Sequence, residues 1–305
     1  MDRIAEAGPR TIGLNVLFSE PEQSLGLMEV KRLEERYKEL LARRKIQQRG
    51  ADFALEFASS MVALDSDSKL LASIQSAGNV VMPLFFTANT TRAKVVPAPP
   101  EVSRAAVRAA IPAGAAVDVQ EKMIPPLLSF AGAAAGLGHS NLFVESDGVF
   151  RRDMPLVQYD GALYPSYALR LVMSYQDLSS ADVQFVPGVE IVAGRLRIPL
   201  DGESMMPVTF LGPPADTVKR VSFRDVLGGS ISPDFFKGRI VLIGPTALGV
   251  GSNYVTPVAG DFPSVEVIAH SVENMLHGRF LTRPDWARQL EWGMIAVLGL
   301  FIMLV

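Results

Sequence analysis

The residues able to do chemistry in this chain are few, which narrows what it can be. There is no cysteine, and there are only three histidines, His139, His270 and His277. Disulfides, thiolate metal sites and cysteine nucleophiles are therefore excluded, and a histidine-rich metal site is not expected. One constellation has a regular spacing: Glu266, His270 and Asn274 follow one another at four-residue steps, so on a helix they share one face. That face can look into a cleft and bind a polar ligand, or it can hydrogen-bond to neighbouring loops. One histidine and one carboxylate are too few ligands for a metal ion. His139 and Asn141 stand two residues apart, on one face of a strand, and the same two readings apply to them. Arg151 lies in a charge cluster with Asp147, Arg152 and Asp153. A guanidinium binds a carboxylate through two hydrogen bonds, so Arg151 is a candidate for an anionic ligand; equally, the four charges can pair among themselves.

A glycine loop precedes the first constellation. Gly244-Pro245-Thr246-Ala247-Leu248-Gly249 has the spacing that begins a phosphate-binding loop, but Val250-Gly251 follows where that motif needs lysine and then serine or threonine. Nucleotide hydrolysis is excluded on that ground. Two readings remain: backbone N–H groups presented at a turn, or a tight connection that needs glycine. No serine sits in a Gly-x-Ser-x-Gly elbow, and no acid pair has a local glycosidase-like spacing. The expectation is a protein without a catalytic centre, resident metal or cofactor. Its candidate cleft has Thr246, Ser252, Asn253 and Thr256 on the loop side and Glu266, His270 and Asn274 on the helix side.

The elements that must position these residues form a strand, loop and helix over residues 238–281. Ile240, Val241, Leu242 and Ile243 form an apolar run bounded by glycines, the pattern of a strand buried on both faces of an α/β sheet. A helix is expected from near Pro263, with Val265, Ile268, Ala269, Val272, Met275 and Leu276 as its inward stripe and Gly278 as its stop. In open α/β sheets ligands bind where strand ends give way to helix starts. Further strands are expected over residues 11–18, 79–86 and 206–211, and a hairpin around Gly194-Arg195. A hairpin is also expected around Asp147-Gly148, residues that tolerate the positive φ of a tight turn. Residues 164–166 open a helix that runs to Tyr175. Residues 23–49 make a charged helix with a stripe of Val30, Leu33, Tyr37 and Leu40, a solvated element rather than a coiled coil because the stripe lasts about two heptads. Residues 53–61 fit helix or strand, and residues 95–117, rich in proline and alanine, an irregular surface loop. The fold class is α/β, a mixed sheet with packed helices.

The GRIVLIG strand, the loop from Thr246 to Gly251, Thr256-Pro257, and the helix Val265-Glu266-Val267-Ile268-Ala269-His270 resemble the CHASE2 domain, an extracytoplasmic sensory module of bacterial membrane receptors. Residues 64–83 and the Gly138-His139-Ser140-Asn141 strand with its Asp147-Gly148 turn and Arg151 extend the resemblance, which omits residues 23–50. It implies a sensory domain over residues 1–285 with a charged helical insertion at 23–50. It also implies a cytoplasmic output, a cyclase, a histidine kinase or a serine/threonine kinase, outside this chain. Two positions depart from the family pattern: Asn15 stands for the usual aspartate, and Ser252-Asn253 stands where the loop usually has one. Both exchange a carboxylate for a neutral polar group, which suits a hydrogen-bonding role better than a ligand role requiring negative charge. CHASE2 domains also carry an earlier strand and a leading transmembrane helix, so the chain is expected to be truncated at its start.

The bulk properties agree. A net charge of −3 gives no general attraction to nucleic acid. Residues 292–305 are apolar without a break, with Trp286 and Trp292 at the entry, as interface aromatics stand. The expectation is the start of a transmembrane helix over residues 289–305, an inner-membrane protein with its sensory domain periplasmic, a small-molecule or protein signal, and a homodimer. Arg283 and Arg288 weigh mildly against that orientation under the positive-inside rule. A soluble solute-binding protein or enzyme with a C-terminal core helix, and a ligand-free dimerisation domain, are the competing classes.

Overall fold

The computed structural model describes residues 1–43, 52–87, 95–112, 114–214, 218–247, 249–282 and 286–304. In chain order, a short helix α1 (Asp2–Glu6) leads into strand β1 (Thr11–Leu14). Helices α2 (Leu25–Ala42), α3 (Asp52–Leu64) and α4 (Ser66–Ala77) precede β2 (Val80–Thr87). Next come α5 (Pro100–Ser103), β3 (Lys122–Ile124), α6 (Leu128–Ala133) and β4 (Gly136–His139). The middle of the chain holds β5 (Arg152–Asp153), β6 (Leu156–Tyr159), β7 (Ala162–Pro165), α7 (Tyr167–Tyr175), β8 (Val183–Val186), β9 (Glu190–Ala193), β10 (Leu196–Pro199) and β11 (Met206–Pro207). The last part holds α8 (Phe223–Gly228), β12 (Ile240–Ile243), β13 (Asn253–Thr256), β14 (Ala259–Pro263), α9 (Ser264–His277) and α10 (Trp286–Leu304).

The central sheet is mixed. β12, β1, β2 and β4 run parallel in that order, and β3 pairs antiparallel with the far end of β2. Strand side chains alternate between faces, and here the alternation divides the core in two. Val80, Met82, Leu84 and Phe86 of β2 join Ile4 of α1, Ile74 of α4 and Phe130 of α6. Val81 points the other way, to Tyr167, Leu171 and Val172 of α7 and Ile268 and Val272 of α9. Helices therefore cover both sheet faces. β4 affords the closest approach: a Cβ on Gly138 would lie 2.7 Å from the carbonyl oxygen of Ser166 and 2.8 Å from Cα of Tyr167. Glycine at that position lets the start of α7 rest on the strand.

Several local expectations take a different form in the tertiary structure. β12 is not buried on both faces; its four residues are half-buried, because it is an edge strand with β1 as its one partner. Residues 53–61 belong to helix α3, and α2 packs on it through Tyr37, whose ring stands 6.0 Å from Phe53 and 5.8 Å from Phe57. The charged helix is seen as α2, with the Glu34–Lys38 pair at 2.8 Å; Arg44, Lys45 and Arg49 lie outside the described residues, as do Leu248 of the glycine loop and Arg283. Residues 95–117 are not simply a surface loop. Val102 is wholly buried and Val107 nearly so, and the Val107 N–H donates to the Leu163 carbonyl at 2.8 Å. The apolar residues among the prolines and alanines anchor this segment in the core.

The Asp147-Gly148 turn forms, with Gly148 at φ +79° and its N–H donating to the Glu145 carbonyl at 2.8 Å. No ladder extends from it, since β5 pairs with β11 instead. Valine at position 148 would be held at a positive φ that β-branched residues tolerate poorly. Gly148→Val is expected to lower stability by about 1–3 kcal/mol, read as a lower denaturant midpoint; an unchanged midpoint would contradict the turn. At the other end, α10 is 19 residues long with mean hydropathy 1.4 and has no buried residue, long and apolar enough to cross a membrane.

Candidate functional site

The free edge of β12 opens onto a cleft of about 780 Å³. The carbonyls of Arg239 and Ile243 accept hydrogen bonds from Arg10 and Asn15 on the β1 side, at 2.9 and 2.8 Å. Along a strand the backbone groups alternate in direction, so Ile240 and Leu242 turn theirs outward, where no described residue bonds to them. One wall of the cleft is α9, through Glu266, Ala269 and His270. The opposite wall is the stretch leading into α8, through Arg220 and Phe223. Thr246 closes the end beyond β12. The strand ends and the helix begins beside one space, as the chain order of strand, loop and helix predicts.

The chemistry of this space is mixed. Glu266 is 3 % exposed and forms an ion pair with Arg220 at 2.8 Å across the cleft. His270 is buried between Phe210 and Phe262, with ring centroids 5.4 and 5.3 Å away. Burial lowers its pKa, and the charge of Glu273 partly offsets the shift. His270 is therefore neutral at pH 7, able to donate one hydrogen bond and accept one. Asn274, expected on the same wall, is not part of the cleft. It is fully buried and grips the backbone of Thr209, accepting from its N–H at 2.7 Å and donating to its carbonyl at 2.9 Å.

A family model for the CHASE2 domain matches residues 1–305, the whole chain. The chain belongs to the CHASE2 family. CHASE2 is a family of extracytoplasmic sensory domains, so a sensor is the class of protein in hand. No curated protein and no solved structure matches the chain.

The remaining candidates of this CHASE2 domain are placed elsewhere. Ser252 accepts the N–H of Ser264 at the start of α9 at 2.9 Å through its backbone carbonyl. Asn253 pairs with Asp261 across the β13–β14 hairpin. Thr256 closes that hairpin, its hydroxyl donating to the Ala259 carbonyl at 3.1 Å and accepting from the Ala259 N–H at 3.2 Å. Arg151 binds carboxylates, as a guanidinium suits, but they are its own neighbours: Glu145 at 2.8 Å and both oxygens of Asp147 at 3.0 and 2.7 Å. Asn141 extends β2 by pairing with both backbone groups of Phe86 at 2.8 Å. Asn15, at the family's usual aspartate position, accepts from the Ser140 hydroxyl at 3.1 Å, the hydrogen-bonding role that its neutral side chain allows. His139 lies at the end of β4, in a second, smaller polar space. Among the described residues no group of three or more histidines and carboxylates could hold a metal.

Arg220, the cation facing Glu266, is a feature that sequence patterns do not single out. It lies 46 positions away from Glu266, in a stretch with no motif. Asp153 and Ser271 were equally hidden, one inside a charge cluster and the other inside the apolar stripe of α9.

Proposed function

We propose that this CHASE2 domain is the periplasmic sensor of an inner-membrane signalling receptor, and that its signal docks in the cleft between β12 and α9. The observation that carries the reading is the cleft itself: a space of small-molecule size that combines an unpaired strand edge, a neutral histidine and an ion pair. The domain binds and does not catalyse. α9 walls the cleft and is followed, after a short connection, by α10. A ligand that draws α9 toward or away from β12 has a direct mechanical route to the membrane helix. The output beyond it would be a cyclase, a histidine kinase or a serine/threonine kinase, and the signal a small molecule or a protein. The receptor acts as a homodimer. Exposed apolar residues on α2 and α3, Leu25, Leu55 and Val62 among them, support a contact there.

Two measurements test this. Reporter fusions within residues 95–112 of the membrane-embedded protein should be active only outside the cytoplasm; cytoplasmic activity overturns the localisation. A thermal-shift screen of small molecules should yield compounds that stabilise the wild-type domain, by about 2.7 kcal/mol at a hundredfold excess over Kd. Ala269→Leu, which narrows the cleft, should abolish that shift. Stabilisation that survives Ala269→Leu places the binding elsewhere.

A further inference from the structure

A second polar space lies where β4, β5, the first turn of α7 and the middle of α9 meet. It is about 10 Å³ in volume and lined by His139, Asp153, Ser166 and Ser271 together with Tyr167 and Ile268. His139 and Asp153 are 1 % and 2 % exposed, and Ser271 is fully buried. Both ring nitrogens of His139, Oδ2 of Asp153 and Oγ of Ser271 have no hydrogen-bond partner. The other hydrogen bonds nearby are accounted for. Asp153 Oδ1 accepts the Met154 N–H at 2.9 Å, and Ser166 Oγ caps α7 by accepting the Leu169 N–H at 3.1 Å. Polar atoms of three separate elements thus face one small space without well-aligned hydrogen bonds to one another, while the Ser271 and Ser166 hydroxyls stand near enough to the Asp153 carboxylate to lower its pKa. Buried polar groups in native proteins are satisfied by protein or by ordered water, and a space of about 10–15 Å³ holds one water.

We propose that this cavity is a binding site for a single water molecule that bridges α9, through Ser271, to β4 through His139 and to β5 through Asp153. Water donates two hydrogen bonds and accepts two, and three partners are at hand: the Asp153 oxygen accepts one, the Ser271 hydroxyl donates or accepts one, and one of the two His139 ring nitrogens, which diverge too far to share a water, supplies the third. Burial keeps His139 neutral, its pKa lowered to about 3, and raises the Asp153 carboxyl to about 6, which the Met154 N–H and then the Ser271 and Ser166 hydroxyls partly offset. The small volume excludes organic ligands. The site adjoins the cleft, because Ser271 follows His270 on α9, yet it does not depend on what the cleft binds. The water ties the cleft-forming helix to the strands beneath it.

The test combines a crystal structure of the 305-residue chain at atomic resolution with one substitution. Density for one water is expected within hydrogen-bonding distance of His139, Asp153 and Ser271. Ser271→Ala then removes a partner of that water, and the Tm is expected to fall by about 2–4 °C. A dry cavity predicts the opposite sign, since removing an unsatisfied buried hydroxyl raises the Tm, and would overturn the proposal. A direct Ser271–Asp153 hydrogen bond with no density between them overturns it too, as does density with the short, many-ligand coordination of a cation.

Discussion

Gly138→Ala is expected to cost about 3 kcal/mol, the upper end of the usual range for over-packing a core. The added Cβ would meet backbone atoms, the Ser166 carbonyl oxygen at 2.7 Å and the Tyr167 Cα at 2.8 Å, and no rotamer change can move these aside. Relief requires α7 to withdraw from the sheet. That helix is held down by Tyr167, which is 1 % exposed and donates from its hydroxyl to the Val81 carbonyl at 3.1 Å, and by the Ser166 cap. Chemical denaturation followed by circular dichroism measures the loss as a lower midpoint. Gly132→Ala is the control. It lies in α6, and its new Cβ would make an ordinary contact with Glu101 Cγ at 3.7 Å. Alanine's better helix propensity should leave stability equal or slightly higher there. Equal effects from the two substitutions would contradict the close seating of α7 on β4.

The second large effect is expected at the ion pair across the cleft. The Glu266 side chain is 4 % exposed, while that of Arg220 is 37 % exposed. Removing one partner of a fully buried pair costs about 3–5 kcal/mol because the other charge loses its compensation. Arg220 keeps some solvent, so Arg220→Ala is expected to cost about 2–3 kcal/mol. Pairing that change with Glu266→Gln removes the facing negative charge and should recover part of the loss. The comparison is made by urea midpoints for the single and double variants. A single variant as stable as wild type would show that the pair is solvent-screened and contributes nothing to closing the cleft wall.

Much of this protein was legible in its sequence, and what was legible is local. The strand at Ile240–Ile243, the helix Ser264–His277 and its stop at Gly278, the positive φ of Gly148 and the helix ending at Tyr175 all depend on short-range rules of periodicity, capping and turn geometry. The motifs around Gly238 and His139 were enough to identify the family. The long apolar end of the chain announced a helix able to span a membrane. Spacing also put Glu266 and His270 on one helical face, beside the loop residue Thr246, and those three do line one cleft.

What tertiary structure alone decided is which neighbours each of these elements has. An apolar run of four residues is the same string of letters at a sheet's edge or its centre, so the half-exposed edge of β12 follows only from the strand order. Four-residue spacing placed Asn274 with His270, but farther along α9 the cleft is lined by Glu273 and Leu276, and Asn274 meets Thr209 instead. The polar cluster of His139, Asp153 and Ser271 joins residues 132 positions apart, and the Arg220–Glu266 pair joins two unrelated stretches. Residue type and periodicity act over a few positions along the chain. Burial, ion pairing and cavity shape are set by segments that meet only after the sheet has assembled.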